Sequence, residues 1–196
     1  MDVDPMELAE EKEEHRGGGL NSMIAISVAL LATFMAICEV KSGNIDQHMQ
    51  RKQIDKNDTW AWYQARNIRQ EVLDTSARQL RALVAGQPES ARPAMLAEAD
   101  KHEAAAKSQR AKMDDLEKTA KALEAEYEAL NLHDDQLDLE AASLSIAISL
   151  LAMTALTRKR WLFFVALVPV ALGVVMGLAG LLGWGLNPDF FGGFLA

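Results

Sequence analysis

Three runs of the chain, Leu20–Cys38, Ala141–Thr157 and Trp161–Gly185, are apolar and contain no Asp, Glu, Lys, Arg or His. Each has about the 17–25 residues that a helix needs to cross the hydrocarbon core of a bilayer. In that setting the backbone must satisfy its own hydrogen bonds, so segments of this kind fold as helices. The average composition, 49% hydrophobic and 24% charged with a net charge of −8, hides this because the two kinds of residue are segregated. The expected fold is an all-α membrane protein with three transmembrane helices. Its parts are an acidic N-terminal tail over 1–19, spans over 20–38, 139–157 and 161–185, an extramembrane segment over 39–138, a basic loop over 158–160 and a C-terminal tail over 186–196.

The first span does not read as a secretion signal. Its flank, Met1–Arg16, carries seven acids against two bases, whereas a signal peptide has a basic leading region. Ile37 precedes Cys38 where a lipoprotein processing site needs a small residue. The single cysteine precludes an internal disulfide. Arg158, Lys159 and Arg160 join the second and third spans, and short basic loops stay cytoplasmic. This places the N-terminus in the cytoplasm and 39–138 outside it.

Within that segment, alternate steps of four and three from Met95 reach Ala99, His102, Ala106, Gln109, Met113, Leu116, Ala120, Leu123, Tyr127, Leu130, Asp134 and Leu137. Ten of the thirteen positions are apolar, a heptad seam of the coiled-coil type. The seam continues into Ala141, Leu144, Ile148 and Leu151 with no breaker, so this helix and the second span read as one. His102 and Gln109 interrupt it, as residues that fix register do.

Residues 45–84 also read as helix. Gly86 suits the left-handed position after a helix end, Pro88 stops continuation, and Pro93 suits the first turn of the next helix. A reversal over 86–93 gives a long antiparallel helical hairpin. Its arms reach about 70–75 Å at about 1.5 Å per residue. Mirror counting about the turn sets Lys41 near Asp138 and Arg51 near Glu128. The first arm carries eight bases and five acids over Lys41–Ala85, and the second six bases and thirteen acids over Ala94–Glu140, which favours their pairing.

The sequence Asn-Asp-Thr-Trp-Ala-Trp-Tyr-Gln-Ala-Arg at 57–66 stands out from its alanine-rich, charged surroundings. Through Asn57, Asp58, Trp60, Ala61, Tyr63, Gln64, Ala65 and Arg66 it resembles a bacterial membrane family catalogued only as domain of unknown function 4337. Arg66 stands where similar members carry Lys. The resemblance implies a bacterial inner-membrane protein with three spans; it implies no activity.

On a helix of about 100° per residue, Ala61, Ala65, Ile68 and Val72 form one stripe. Trp60 and Trp62 flank it and Tyr63 lies behind. That is more apolar surface than one partner helix covers. Trp60, Trp62, Tyr63, Arg66 and Arg69 are therefore candidate interaction residues, with both arginines placed to stack on the rings. The bland alternative is packing of the rings across the hairpin, against Met113, Leu116 and Ala120.

The acidic run at 132–140 offers Asp134, Asp135, Asp138 and Glu140 as a candidate cation cluster or pore mouth, although its spacing matches no defined metal loop. In the spans, Ser145 and Ser149 on the second and Gly173 and Gly177 on the third supply the small residues that let helices approach in lipid. Pro169 is expected to kink the third span, with Trp161 and Trp184 as interfacial anchors.

No nucleotide-binding loop, zinc spacing or nucleophile elbow is present, and the acidic charge disfavours nucleic acid. The expected function is non-enzymatic, with no cofactor and no metal. It is a homo-oligomeric inner-membrane scaffold whose partners are the bilayer and further copies of itself. The alternative is a symmetric pore lined by the second span.

Overall fold

The structure, a computed structural model, describes residues 5–187, with side chains described from Gly19 onward. It consists of three long helices: α1 (Pro5–Leu83), α2 (Arg92–Thr157) and α3 (Arg160–Leu182). No strand occurs among the described residues. Two compact units form. One gathers the described residues up to His48 and from Ala129 onward; the other is Met49–Glu128.

The seam expected on α2 is present. Every position from Met95 through Leu137 to Leu151 is buried or half-buried. A matching seam runs along α1 in steps of four and three: Ile24, Val28, Leu31, Met35, Cys38, Ser42, Ile45, Met49, Lys52, Lys56, Thr59, Tyr63, Arg66, Gln70, Leu73, Ala77, Leu80 and Val84. All eighteen are buried or half-buried. Within Met49–Glu128 the two helices run antiparallel: Lys52 pairs with Glu126, Lys56 with Glu124 at 3.7 Å, and Arg81 with Asp100 and Glu103 at 2.8 and 2.6 Å. These pairs lie within a few residues of the mirror register.

The connection differs in detail from expectation. Gly86 is not left-handed; α1 ends in a turn of 3-10 helix, Val84–Gly86, and Gln87 is extended. The reversal is closed instead by hydrogen bonds, from Gln87 N to Val84 O at 3.1 Å, Ala91 N to Pro88 O at 3.0 Å and Arg92 Nε to Gln87 O at 3.0 Å. Pro93 sits in the first turn of α2, where its missing N–H costs nothing. Ser42-Gly43-Asn44 does not break α1. Cys38 and Ile45 on either side are buried, and Ser42 Oγ donates to Asp134 Oδ1 at 3.0 Å, which holds the seam through the weak point.

Only Arg158 and Lys159 lie between α2 and α3. Arg158 is left-handed at φ 53°, and its N–H reaches Thr154 O at 2.8 Å, the cap that lets α2 stop there. α3 runs through Pro169 and ends at Gly183, whose φ of 72° is the left-handed cap.

In the unit outside Met49–Glu128, the core is Ile24, Leu31, Leu144, Leu151 and Ala166. Its outward residues, among them Ile26, Leu30, Ile146, Leu156, Phe164 and Val168, are apolar too. Helices apolar all round belong in a large core or in lipid. All three helices are long and apolar enough to cross a membrane.

Candidate functional site

The aromatic motif divides between the two faces of α1. Tyr63 and Arg66 lie on the seam; Trp60 is half-buried and meets Tyr63 edge-on, with centroids 5.4 Å apart. Trp62 and Arg69 are exposed. The stripe through Ala61, Ala65, Ile68 and Val72 is not the buried one: only Ala65 is half-buried. Ile68 is 64% exposed, Val72 59%, and Ile54, on the same face two turns before Ala61, 59%. Trp62 beside them is 57% exposed. Within Met49–Glu128, buried Met49 at one end and the apolar run from Leu73 to Val84 at the other set the phase of the helix. The intervening stretch is carried along, with Lys52, Lys56 and Arg66 laying their stems in the seam. What remains outside is an apolar stripe on an otherwise polar stretch of α1.

Polar groups on the seam find partners across it. Arg66 Nη1 donates to Gln109 Oε1 at 3.0 Å, so this guanidinium pairs with a seam glutamine instead of stacking on a ring. Lys56 Nζ lies 5.3 Å from the Tyr127 centroid, a cation–π contact that sequence spacing does not suggest. His102 turns to Glu98 of its own helix, at 3.7 Å. Near the turn, buried Ala77 and Ala106 recess the helix surfaces and leave a hollow of about 260 Å³ rimmed by Asp74, Arg78, Arg81, Glu103, Lys107 and Arg110. Glu103 already holds Arg81 and Lys107 there.

The acidic run does not converge. Asp135 accepts from Asn131 Nδ2 at 3.0 Å, Asp138 is exposed, and Asp134 accepts from Ser42. Among the described residues no group of three or more His, Cys, Asp or Glu is placed to hold a metal ion. Burial raises the Asp134 carboxyl above its ordinary range, the Ser42 bond opposes this, and Asp46, Asp138 and Asp135 add to the rise. A carboxyl that binds its proton more tightly when folded loses stability as pH rises through the carboxylate range. Asp134→Asn keeps the acceptor for Ser42 and removes the charge. It is expected to flatten the unfolding midpoint between about pH 4 and pH 7 and to be no less stable at neutrality.

Glu140 is unlike the other acids. It is 1% exposed, and its Oε1 has no hydrogen-bond partner. It belongs to a second inward row on α2: Gln136, Glu140, Ser143, Ala147 and Thr154, all buried. The glycines of α3 pack against α2, and Gly177 against α1 as well. A Cβ on Gly173 would lie 2.6 Å from Leu144 Cδ2, one on Gly177 2.7 Å from the Phe34 ring and 2.8 Å from Glu140 Cγ, and one on Gly180 2.7 Å from Leu137. Gly173 and Gly177 are thus used within the chain, whereas Ser145 and Ser149 face outward, the Ser149 hydroxyl bonded back to Ser145 O at 2.9 Å. Gln136 Nε2 donates to Trp184 O at 2.8 Å and to Leu186 O, tying the segment after α3 to α2. Trp161 and Trp184, at the two ends of α3, are exposed.

The exposed stripe was open to discovery from sequence by counting the seam back from Val84, which lands on Lys56, Tyr63 and Arg66. The burial of Glu140 was not, because α3 supplies the cover and glycines announce no particular neighbour. A family model described as Domain of unknown function (DUF4337) matches residues 20–183. No curated protein and no solved structure matches the chain.

Proposed function

The chain belongs to the DUF4337 family, a description that assigns no activity, and from its geometry we propose that it is a non-enzymatic, homo-oligomeric membrane scaffold. In this reading the apolar lengths of α1 and α2, together with α3, cross a bilayer, and residues 39–138 form an antiparallel coiled-coil arm. The membrane is the bacterial inner membrane, with the basic Arg158–Arg160 link in the cytoplasm and the arm in the periplasm.

The observation that carries the reading is the outward stripe of Ile54, Ile68 and Val72, with exposed Trp62 beside it. Water does not favour such a row on a helix otherwise dressed with charge, and a large aromatic beside it is a common interface anchor. The occupant is a second copy of the same chain. Copies held in one bilayer meet at a high effective concentration, so a patch of this modest size suffices for association.

The test is the mass of the full chain in mild detergent, together with cross-linking in vesicles. The expected result is an oligomer that a Trp62→Ala, Ile68→Gln, Val72→Gln variant converts to monomer with its helix content intact. Trp60→Ala, on the half-buried side, is expected to leave the assembly in place. A wild-type chain that stays monomeric in both settings sinks the proposal. The outward placement of Ser145 and Ser149 supports a second reading, a symmetric pore lined by α2. Ion conductance in reconstituted bilayers that Ser149→Trp abolishes would favour it.

A further inference from the structure

Glu140 presents a problem that its neighbours do not solve. Its partners on the same inward row are satisfied: Gln136 holds two backbone carbonyls, and Thr154 Oγ1 donates to Leu150 O at 2.7 Å. Glu140 has no ion-pair partner among the described residues, and Oε1 is left bare in a site closed to water. An ionised carboxylate buried without a counter-charge or a full set of donors is costly, and such a group usually responds by taking up a proton and becoming neutral.

The groups that face it are few. From α1 come the Cys38 thiol, 1% exposed and close enough to act on the Glu140 carboxyl, the Glu39 carboxylate, whose charge acts on Glu140, and the Phe34 ring beside Gly177. From α3 come Gly173 and Gly177, which bring no side chain at all. No lysine, arginine or histidine is among these groups. A sodium or divalent ion needs several oxygen ligands around it. Here the backbone oxygens of the helices are taken by helical hydrogen bonds, and Gly173 and Gly177 of α3 offer no side-chain oxygen. The one ligand that a single bare oxygen can take is a proton.

We propose that Glu140 is a proton-binding site at the centre of the three-helix packing, and that loss of this proton loosens α3 from α1 and α2. With the proton on, the carboxyl is neutral, and the glycine face of α3 closes over it with no room left for water. With the proton off, the charge faces Glu39 and a thiol across a dry contact, and relief comes only from admitting water, which means parting the Gly177 contact. The site thereby couples pH to the seating of α3. This goes beyond the scaffold reading and stands or falls separately from it, because it concerns packing inside one chain.

Two measurements on the full chain in detergent test it. The first is the unfolding midpoint between about pH 5 and pH 9 for wild type and for Glu140→Gln, whose amide keeps the shape of the neutral acid. Native protein that holds a proton the unfolded chain releases is stabilised at low pH. The wild-type midpoint is therefore expected to fall as pH rises, with the Glu140→Gln profile flatter over the same range. The second leaves Glu140 itself unaltered: it is the infrared carbonyl stretch of a protonated carboxyl, expected at low pH and lost together with protection of Cys38 from a maleimide as pH is raised. Maleimide reaction at a cysteine introduced at exposed Ser90 corrects for the ordinary rise in thiolate with pH. Parallel pH profiles for the two proteins overturn the proposal, and so does a carboxyl band that disappears while Cys38 stays protected.

Discussion

Gly177→Ala is expected to destabilise the protein by about 1–3 kcal/mol, and Gly177→Leu to unseat α3, although both substitutions favour helix locally. The comparison that isolates the cause is Gly43→Ala. Both glycines lie inside long helices, and at an unobstructed site alanine is worth about 0.5–1 kcal/mol over glycine. Gly43 has nothing within 4 Å of where a Cβ would stand, so the gain is expected in full. At Gly177 the same atom would sit 2.7 Å from the Phe34 ring and 2.8 Å from Glu140 Cγ. Neither is the free end of a flexible chain: the ring is held against the core and Cγ lies midway along a buried side chain. The two alanine variants should therefore move the unfolding midpoint in opposite directions in the same detergent. Equal shifts would show that α3 is not held by close approach at Gly177.

Gln109→Leu is the second large effect. It removes the acceptor of Arg66 Nη1 and leaves a guanidinium whose Nε already lacks a partner, at an expected cost of about 1–3 kcal/mol. Adding Arg66→Leu to it should restore most or all of that loss. The seam then becomes a continuous apolar row from Tyr63 to Met113, and replacing both partners of a buried polar pair is often near neutral. What the double variant is expected to lose is uniqueness, since a polar pair at one level of a heptad seam penalises every shifted register. A double-mutant cycle on unfolding of the full chain measures the coupling, and helix-pair cross-links between introduced cysteines read the register. Additive costs for the two single changes would mean that the pair does not act as a unit.

These residues also show where sequence was sufficient. Three charge-free runs and a 4-3 row on α2 left little choice but three long helices, and the Pro-bounded stretch at 86–93 located the reversal. On α1 the same row existed, but Lys52, Lys56, Thr59, Arg66 and Gln70 occupy it, and counting apolar residues around Trp62 picks out the outward face instead of the seam. Burial there is decided by rigidity, because a helix phased at both ends cannot rotate its middle. Side-chain chemistry then accommodates the result, with alkyl stems inside and charges at Glu126, Glu124 and Gln109. Glu140 was legible as an acid at the edge of an apolar run. Its enclosure depended on a helix more than thirty residues later, where the informative feature is the absence of side chains at Gly173 and Gly177.

Within Met49–Glu128 the seam positions of α1 keep one phase from Met49 to Leu80 with no skip. Such a row is a ruler with a fixed graduation. Removing a single residue turns everything beyond it by about 100° and presents charge to the partner helix, whereas removing seven returns the same face. Because the opposing row on α2 has the same graduation, length in this protein is editable only in paired sevens, one taken from each helix at the same level. Relatives of different length are therefore compatible with one fold when they differ by whole heptads on both sides of the turn.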